Sequence, residues 1–252
     1  MNSATVRNLL VRGMLAGLAA GLLALVAAYF LGEPSVDRAI GFEESHAHAH
    51  EHEVELVSRS LQSTAGLATG VLLYGVAFGG IAALAFCFAL GRVGRFGPRA
   101  TALLLSGTAL LAVYVVPFLK YPANPPAVGD GDTIGRRTTL YFLMMLLSVL
   151  LAVAATLLGR RLAPQWGTWY ATVTAVAAFV LVIGVAYAFL PAVDEVPADF
   201  PATVLWRFRV SALAIQLTLW TGFGLVFGEL AQRLLVPRPA RVPAGGAAPV
   251  PR

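Results

Sequence analysis

The 252-residue chain is 58% hydrophobic and only 12% charged, about half the charged share of a soluble domain. With a mean hydropathy of +0.76, this excludes an ordinary soluble enzyme, a disordered chain and a disulfide-stapled domain, and leaves an integral membrane protein. The net charge of +5 comes from bases scattered among short loops. It therefore reports membrane topology rather than nucleic-acid binding.

A membrane-crossing helix needs roughly 20 apolar residues. Six stretches satisfy this, at about 13–31, 68–90, 101–119, 140–158, 170–190 and 210–230. They are twice the length of a barrel strand and do not alternate, so the fold class expected is all-α, a polytopic helical membrane protein. Arg7 and Arg12 precede the first run, which is longer than a signal-peptide core and lacks a clear cleavage site, so it reads as an uncleaved anchor. Arg207 and Arg209 crowd the start of the sixth run. Eleven bases fall on the side of both termini and seven on the other, which places the N- and C-termini in the cytoplasm. Twelve of the thirteen acids fall on the outer side, leaving Glu229 near the inner end of the last helix. The outer face should attract cations.

Gly13, Gly17 and Gly21 recur every four residues in the first run. Gly66 and Gly70, Gly75 and Gly79, and Gly224 and Gly228 repeat the pattern. Such faces let helix backbones approach closely, within the bundle or in a homo-oligomer built through the same faces. The single Cys87 allows no internal disulfide. The tail 237–252 is rich in Pro, Ala and Gly and reads as disordered.

The first outer loop, expected over 32–65, holds all four histidines of the protein: His46, His48, His50 and His52. On a strand all four share a face, and on a helix they pair as His46 with His50 and His48 with His52. Either way two imidazoles can meet one metal ion. Glu51 and Glu53 within the tract, with Glu43, Glu44 and Glu55 nearby, add oxygen ligands and negative potential. Imidazole with carboxylate suits Co²⁺, Ni²⁺, Zn²⁺ or Cu²⁺ better than Ca²⁺ or Mg²⁺. Binding needs neutral rings, so it should fail below about pH 6.5. The competing readings are a solvated acidic loop and a pH sensor.

The second outer loop carries Pro122, Pro125 and Pro126, which stiffen it, and Asp130 and Asp132 as further candidate ligands. Lys120, the one lysine, sits at a helix end where snorkelling is the default. The third outer loop adds Asp194, Glu195 and Asp199, with Arg207 as an expected partner of Asp199 or of a carboxylate of another outer loop. There is no Walker A motif, no HExxH helix and no set of spaced His boxes. Neither catalysis nor a permanent cofactor is expected.

Several strings are distinctive: RGMLAG at 12–17, GEPSVDRAI at 32–40, ELVSR at 55–59, GRVGR at 91–95, VPFLKYPANPPAVG at 116–129, PADFPA at 197–202 and LWRFR at 205–209. Through them the chain resembles the CbtA family of predicted cobalt transporter subunits over about residues 10–231. The resemblance implies a cobalt-uptake system of the cytoplasmic membrane in bacteria that make cobalamin, with Co²⁺ as the transported ion. It also implies a small single-span CbtB-like partner subunit. The mechanism expected is capture by the His tract, transfer to the acids of the second and third outer loops, and passage between glycine-faced helices. Since no ionisable residue falls at mid-bilayer, the alternative is a membrane-anchored capture or sensing subunit that delivers Co²⁺, Ni²⁺ or Zn²⁺ to another permease.

Overall fold

The computed structural model describes residues 2–46, 58, 61–126, 128–129 and 131–236. Among these, all regular structure is helical. Helix α1 (Ser3–Ala27) is capped by the Asn2 side chain, which accepts from the Thr5 amide at 2.9 Å. A π-turn (Ala28–Gly32) joins it to α2 (Glu33–His46). A second π-turn (Gln62–Gly66) leads into α3 (Leu67–Ala89). Helix α4 (Pro98–Ala109) opens on Pro98, where a missing amide costs nothing. It runs through a π-turn (Leu110–Val115) into the short α5 (Val116–Lys120). A 3-10 turn (Gly131–Thr133) precedes α6 (Ile134–Phe189), and α7 (Ala202–Leu235) closes the described chain.

Five continuous helical stretches are long and apolar enough to cross a membrane: Ser3–Glu44, Gln62–Ala89, Pro98–Lys120, Ile134–Phe189 and Ala202–Leu235. The fourth has 56 residues, about 84 Å if straight, far more than a hydrocarbon core of about 30 Å. It is not straight. Gly167 sits at φ 74°, ψ 161°, a conformation open only to glycine, and Pro164 removes a helical donor just before it. The arms 134–166 and 168–189 fold back on each other. A methyl group at Gly159 would meet Ala175 Cβ at 3.4 Å, and Met144 clusters with Ile183, Val116 and Tyr121. Thus α6 is an antiparallel hairpin whose two arms are each long enough to cross a bilayer, and they carry the apolar runs at 140–158 and 170–190.

The expected outer loop over 32–65 needs correction, because α2 carries the first helix on to His46. Gly32, Glu33 and Pro34 do not end it. The preceding π-turn widens the backbone spacing, which relieves the clash between the Pro34 ring and the carbonyl four residues back.

The glycine faces knit α1 to α3. A methyl at Gly17 would collide with the Gly75 carbonyl, and one at Gly79 with the Gly13 carbonyl. One at Gly75 would sit 2.6 Å from Gly17 O, and one at Gly13 2.5 Å from Gly79 O. Helix α7 packs along α1 with Gly222 against Ala20. It sets Phe227 edge-to-face with Phe86 of α3 (5.0 Å between centroids) and Trp220 edge-to-face with Phe78 (4.4 Å). Helix α4 lies antiparallel on α7, with Gly224 against Ser106 and Gly228 against Ala102, and the Ser106 hydroxyl donates to Trp220 O at 2.5 Å. The main core is Leu9, Ala16, Ala20, Phe86, Phe223 and Phe227 with their neighbours. The Gly13/Gly17, Gly75/Gly79 and Gly224/Gly228 faces are therefore used for packing inside the chain. Gly70 has nothing within 4 Å of an added methyl, and Gly66 meets only its own turn.

The two ends of the bundle differ. At the arginine end, Arg12 donates to Leu230 O at 2.6 Å, so the beginnings of α1 and the end of α7 share one side. At the opposite, acidic end the outer segments meet.

Candidate metal-handling face

The acidic end is built on the first helical stretch. Ser3–Glu44 has 42 residues, about 63 Å long, so α2 stands beyond the hydrocarbon core. Its inward face carries Ala39, fully buried, and Phe42, whose ring meets Phe200 edge-on at 5.0 Å. Val128 of the second outer loop and Val196, Val204 and Leu205 around the third complete this small apolar cluster. Two proline-led turns shape the loops for it. Val128 N donates to Pro125 O at 3.3 Å and Phe200 N to Pro197 O at 3.1 Å. Three segments far apart in sequence thus become one cap.

Polar ties hold the cap to the bundle. Lys120 does more than snorkel: its ammonium donates to Tyr187 O at 2.8 Å, fixing the end of the second α6 arm. The Tyr121 hydroxyl donates to Pro191 O at 3.0 Å. Burial pushes this phenol up from its ordinary pKa, against a smaller opposing pull from Arg136, so it stays a neutral donor. The Tyr187 hydroxyl donates to Val116 O. Arg209 donates through Nη2 to Asn124 Oδ1 at 2.9 Å and through Nε to Ala123 O at 3.3 Å. The arginine that grips the second loop is therefore Arg209, with Asp194 within its electrostatic reach.

The strongest tie is a charged one. Arg137 Nη1 lies 2.6 Å from Glu195 Oε2, with the Glu195 side chain only 9% exposed and Arg137 30%. Thr133 Oγ1 donates to Glu195 Oε1 at 2.5 Å. Gly129 covers this pair at φ 130°. A methyl there would sit 2.6 Å from Arg137 Nη1 and 3.2 Å from Glu195 Oε2. Only glycine fits both the torsion and the space.

The candidate ligands fall as follows. His46 is the last residue of α2. His48, His50, His52, Glu51, Glu53 and Asp130 lie outside the described residues. Asp132 stands in the 3-10 turn next to Thr133. Asp194, Glu195 and Asp199 lie in the third outer loop. Among the described residues, no group of three or more His, Cys, Asp or Glu is arranged to hold a metal ion. Glu195 gives both oxygens to Arg137 and Thr133. The second and third loops are thus brought together as expected, but by an ion pair and an apolar cluster. Sequence reasoning did not find Arg137, Gly129 or Arg209 as structural partners. The signal available was the final glycine of the string KYPANPPAVG.

No curated protein and no solved structure matches the chain. A family description, CbtA, probable cobalt transporter subunit, matches residues 6–232. That match covers nearly the full extent of the five helical stretches that are long and apolar enough to cross a membrane, and the chain therefore belongs to the CbtA family of probable cobalt transporter subunits.

Proposed function

We propose that the chain is the membrane subunit of a Co²⁺ uptake system that serves cobalamin synthesis in the bacterial cytoplasmic membrane, with its arginine end inside. The observation that supports this best is the cap, in which α2 and the two following outer loops converge at the acidic end. The His tract begins at the end of α2, and Phe42, one turn before that end, meets Phe200. The tract captures the ion with His46, His48, His50 and His52, helped by Glu51 and Glu53. Asp130, Asp132, Asp194 and Asp199 then offer oxygen ligands, and a divalent ion competes with Arg137 for Glu195. Inward movement is favoured by the membrane potential, about 2.3 kcal/mol per charge per 100 mV, and twice that for Co²⁺.

A second reading has a specific observation behind it. No ionisable residue falls at the middle of any apolar run, and the buried Ser148 and Ser106 hydroxyls are already committed to backbone carbonyls. A capture subunit that hands Co²⁺, Ni²⁺ or Zn²⁺ to another permease would need no ligand there. A CbtB-like single-span partner reconciles the two readings by completing the path.

Cell-associated cobalt, measured by elemental mass spectrometry in cells lacking other importers, tests the proposal. The chain is expressed with its single-span partner, beside a variant with His46, His48, His50 and His52 changed to Ala. Uptake by the wild type, retained in the variant only at high external cobalt, is the expected result. No gain over an empty vector for either strain overturns the uptake reading. Gain with another permease present, and none without it, favours the capture subunit.

A further inference from the structure

The arginine end carries a second charged cluster that cobalt handling does not use. Glu229 of α7 receives two guanidinium groups. Arg99 of α4 reaches Oε2 through Nη2 at 2.5 Å and Nε at 2.8 Å. Arg233, one turn further along α7, reaches Oε1 at 2.7 Å. Arg12 of α1 joins them from the other flank through Leu230 O. Two guanidinium groups thus share one carboxylate, and a third is held one residue along α7 at the Leu230 carbonyl. The pairing leaves positive charge unspent, and the side chains of Arg99 and Arg233 remain 60% and 57% exposed.

The surface beneath this cluster is apolar and continuous with it. Helices α4 and α7 run antiparallel, so one turn toward the membrane centre from Arg99 is Leu103, and one turn from Glu229 is Leu225. Both are exposed, at 44% and 57%. Leu103 also closes on Gly224, 3.3 Å from where a methyl would stand, so the two leucines flank one helix seam. A basic crown over an apolar seam at the membrane interface matches one kind of molecule, with a phosphate at one end and an acyl chain at the other.

We propose that the α4–α7 seam binds an anionic phospholipid of the arginine-side leaflet. Its phosphate lies on Arg99 and Arg233, and an acyl chain lies along Leu103 and Leu225. Glu229 competes with the phosphate for both arginines and so tunes the affinity.

The test is native mass spectrometry of the full chain released from detergent with phosphatidylglycerol or phosphatidylcholine added. The wild type should retain phosphatidylglycerol over phosphatidylcholine. Arg99→Gln and Arg233→Gln should each lower that retention about fivefold, the worth of one interfacial arginine. Glu229→Gln should raise it, because both guanidinium groups are freed. A purely structural ion pair predicts the opposite for Glu229→Gln, namely lower thermal stability with no gain in lipid. Equal retention of the two lipids overturns the proposal. So does unchanged or reduced retention in Glu229→Gln, or displacement of the lipid by millimolar inorganic phosphate.

Discussion

The α1–α3 pair and the α6 hairpin solve the same problem in opposite ways. Lipid is as apolar as leucine, so helices in a membrane gain little from hydrophobicity and must associate by close contact or by polar ties. Helices α1 and α3 use contact, with glycine carbonyls and α-carbons facing each other where any side chain would collide. The hairpin uses ties at its acidic end, from Lys120, Tyr121, Tyr187 and the Arg137–Glu195 pair. Its second arm leaves Trp169, Val176, Val180, Leu181 and Phe189 exposed. The α1–α3 seam is closed by backbone contact along its length, whereas the hairpin has its polar ties concentrated at the acidic end, with Ser148 donating to Ala112 O further along the first arm.

The contrast can be broken at its strongest point first. Gly17→Leu should separate α1 from α3 and cost about 3 kcal/mol or more, because backbone lies where the side chain must go. Unfolding in a denaturing detergent titration measures it. Next in size, Glu195→Ala should cost about 3 kcal/mol by stranding Arg137 in a largely buried place. A double-mutant cycle with Arg137→Ala should show strong coupling, the double variant losing much less than the two single losses combined. The smallest effect sharpens the comparison. Gly184→Leu, on the hairpin arm with nothing within 4 Å of an added methyl, should change stability by less than about 0.5 kcal/mol. A loss comparable to that of Gly17→Leu would mean that the hairpin is as tightly packed as the bundle.

Much of this was legible in the sequence for a physical reason. Crossing a bilayer needs a fixed length of apolar helix, and glycines four apart can serve few purposes other than close approach. The runs at 140–158 and 170–190 already showed two spans in what the backbone makes one interrupted helix. What the sequence hid depends on tertiary distance. Arg137 and Glu195 are 58 residues apart, and no local pattern joins them. Arg209 and Asn124 are 85 residues apart, and their contact is hidden for the same reason. Helix α2 was read as loop because a Gly-Glu-Pro string usually stops a helix, and a π-turn that absorbs the proline leaves no mark in composition. The His tract itself was plain in the sequence, since four histidines at alternate positions need no fold to be noticed.

The torsion at Gly167 has a consequence for the whole chain's parity. Had the helix run on through that residue, α6 would count once, the crossings would be odd, and Leu235 would finish in the opposite compartment from Ser3. The Arg12 bond to Leu230 would have no counterpart to reach. Whether Ser3 and Leu235 lie at the same end of the helices therefore turns on the break at a single residue without a side chain.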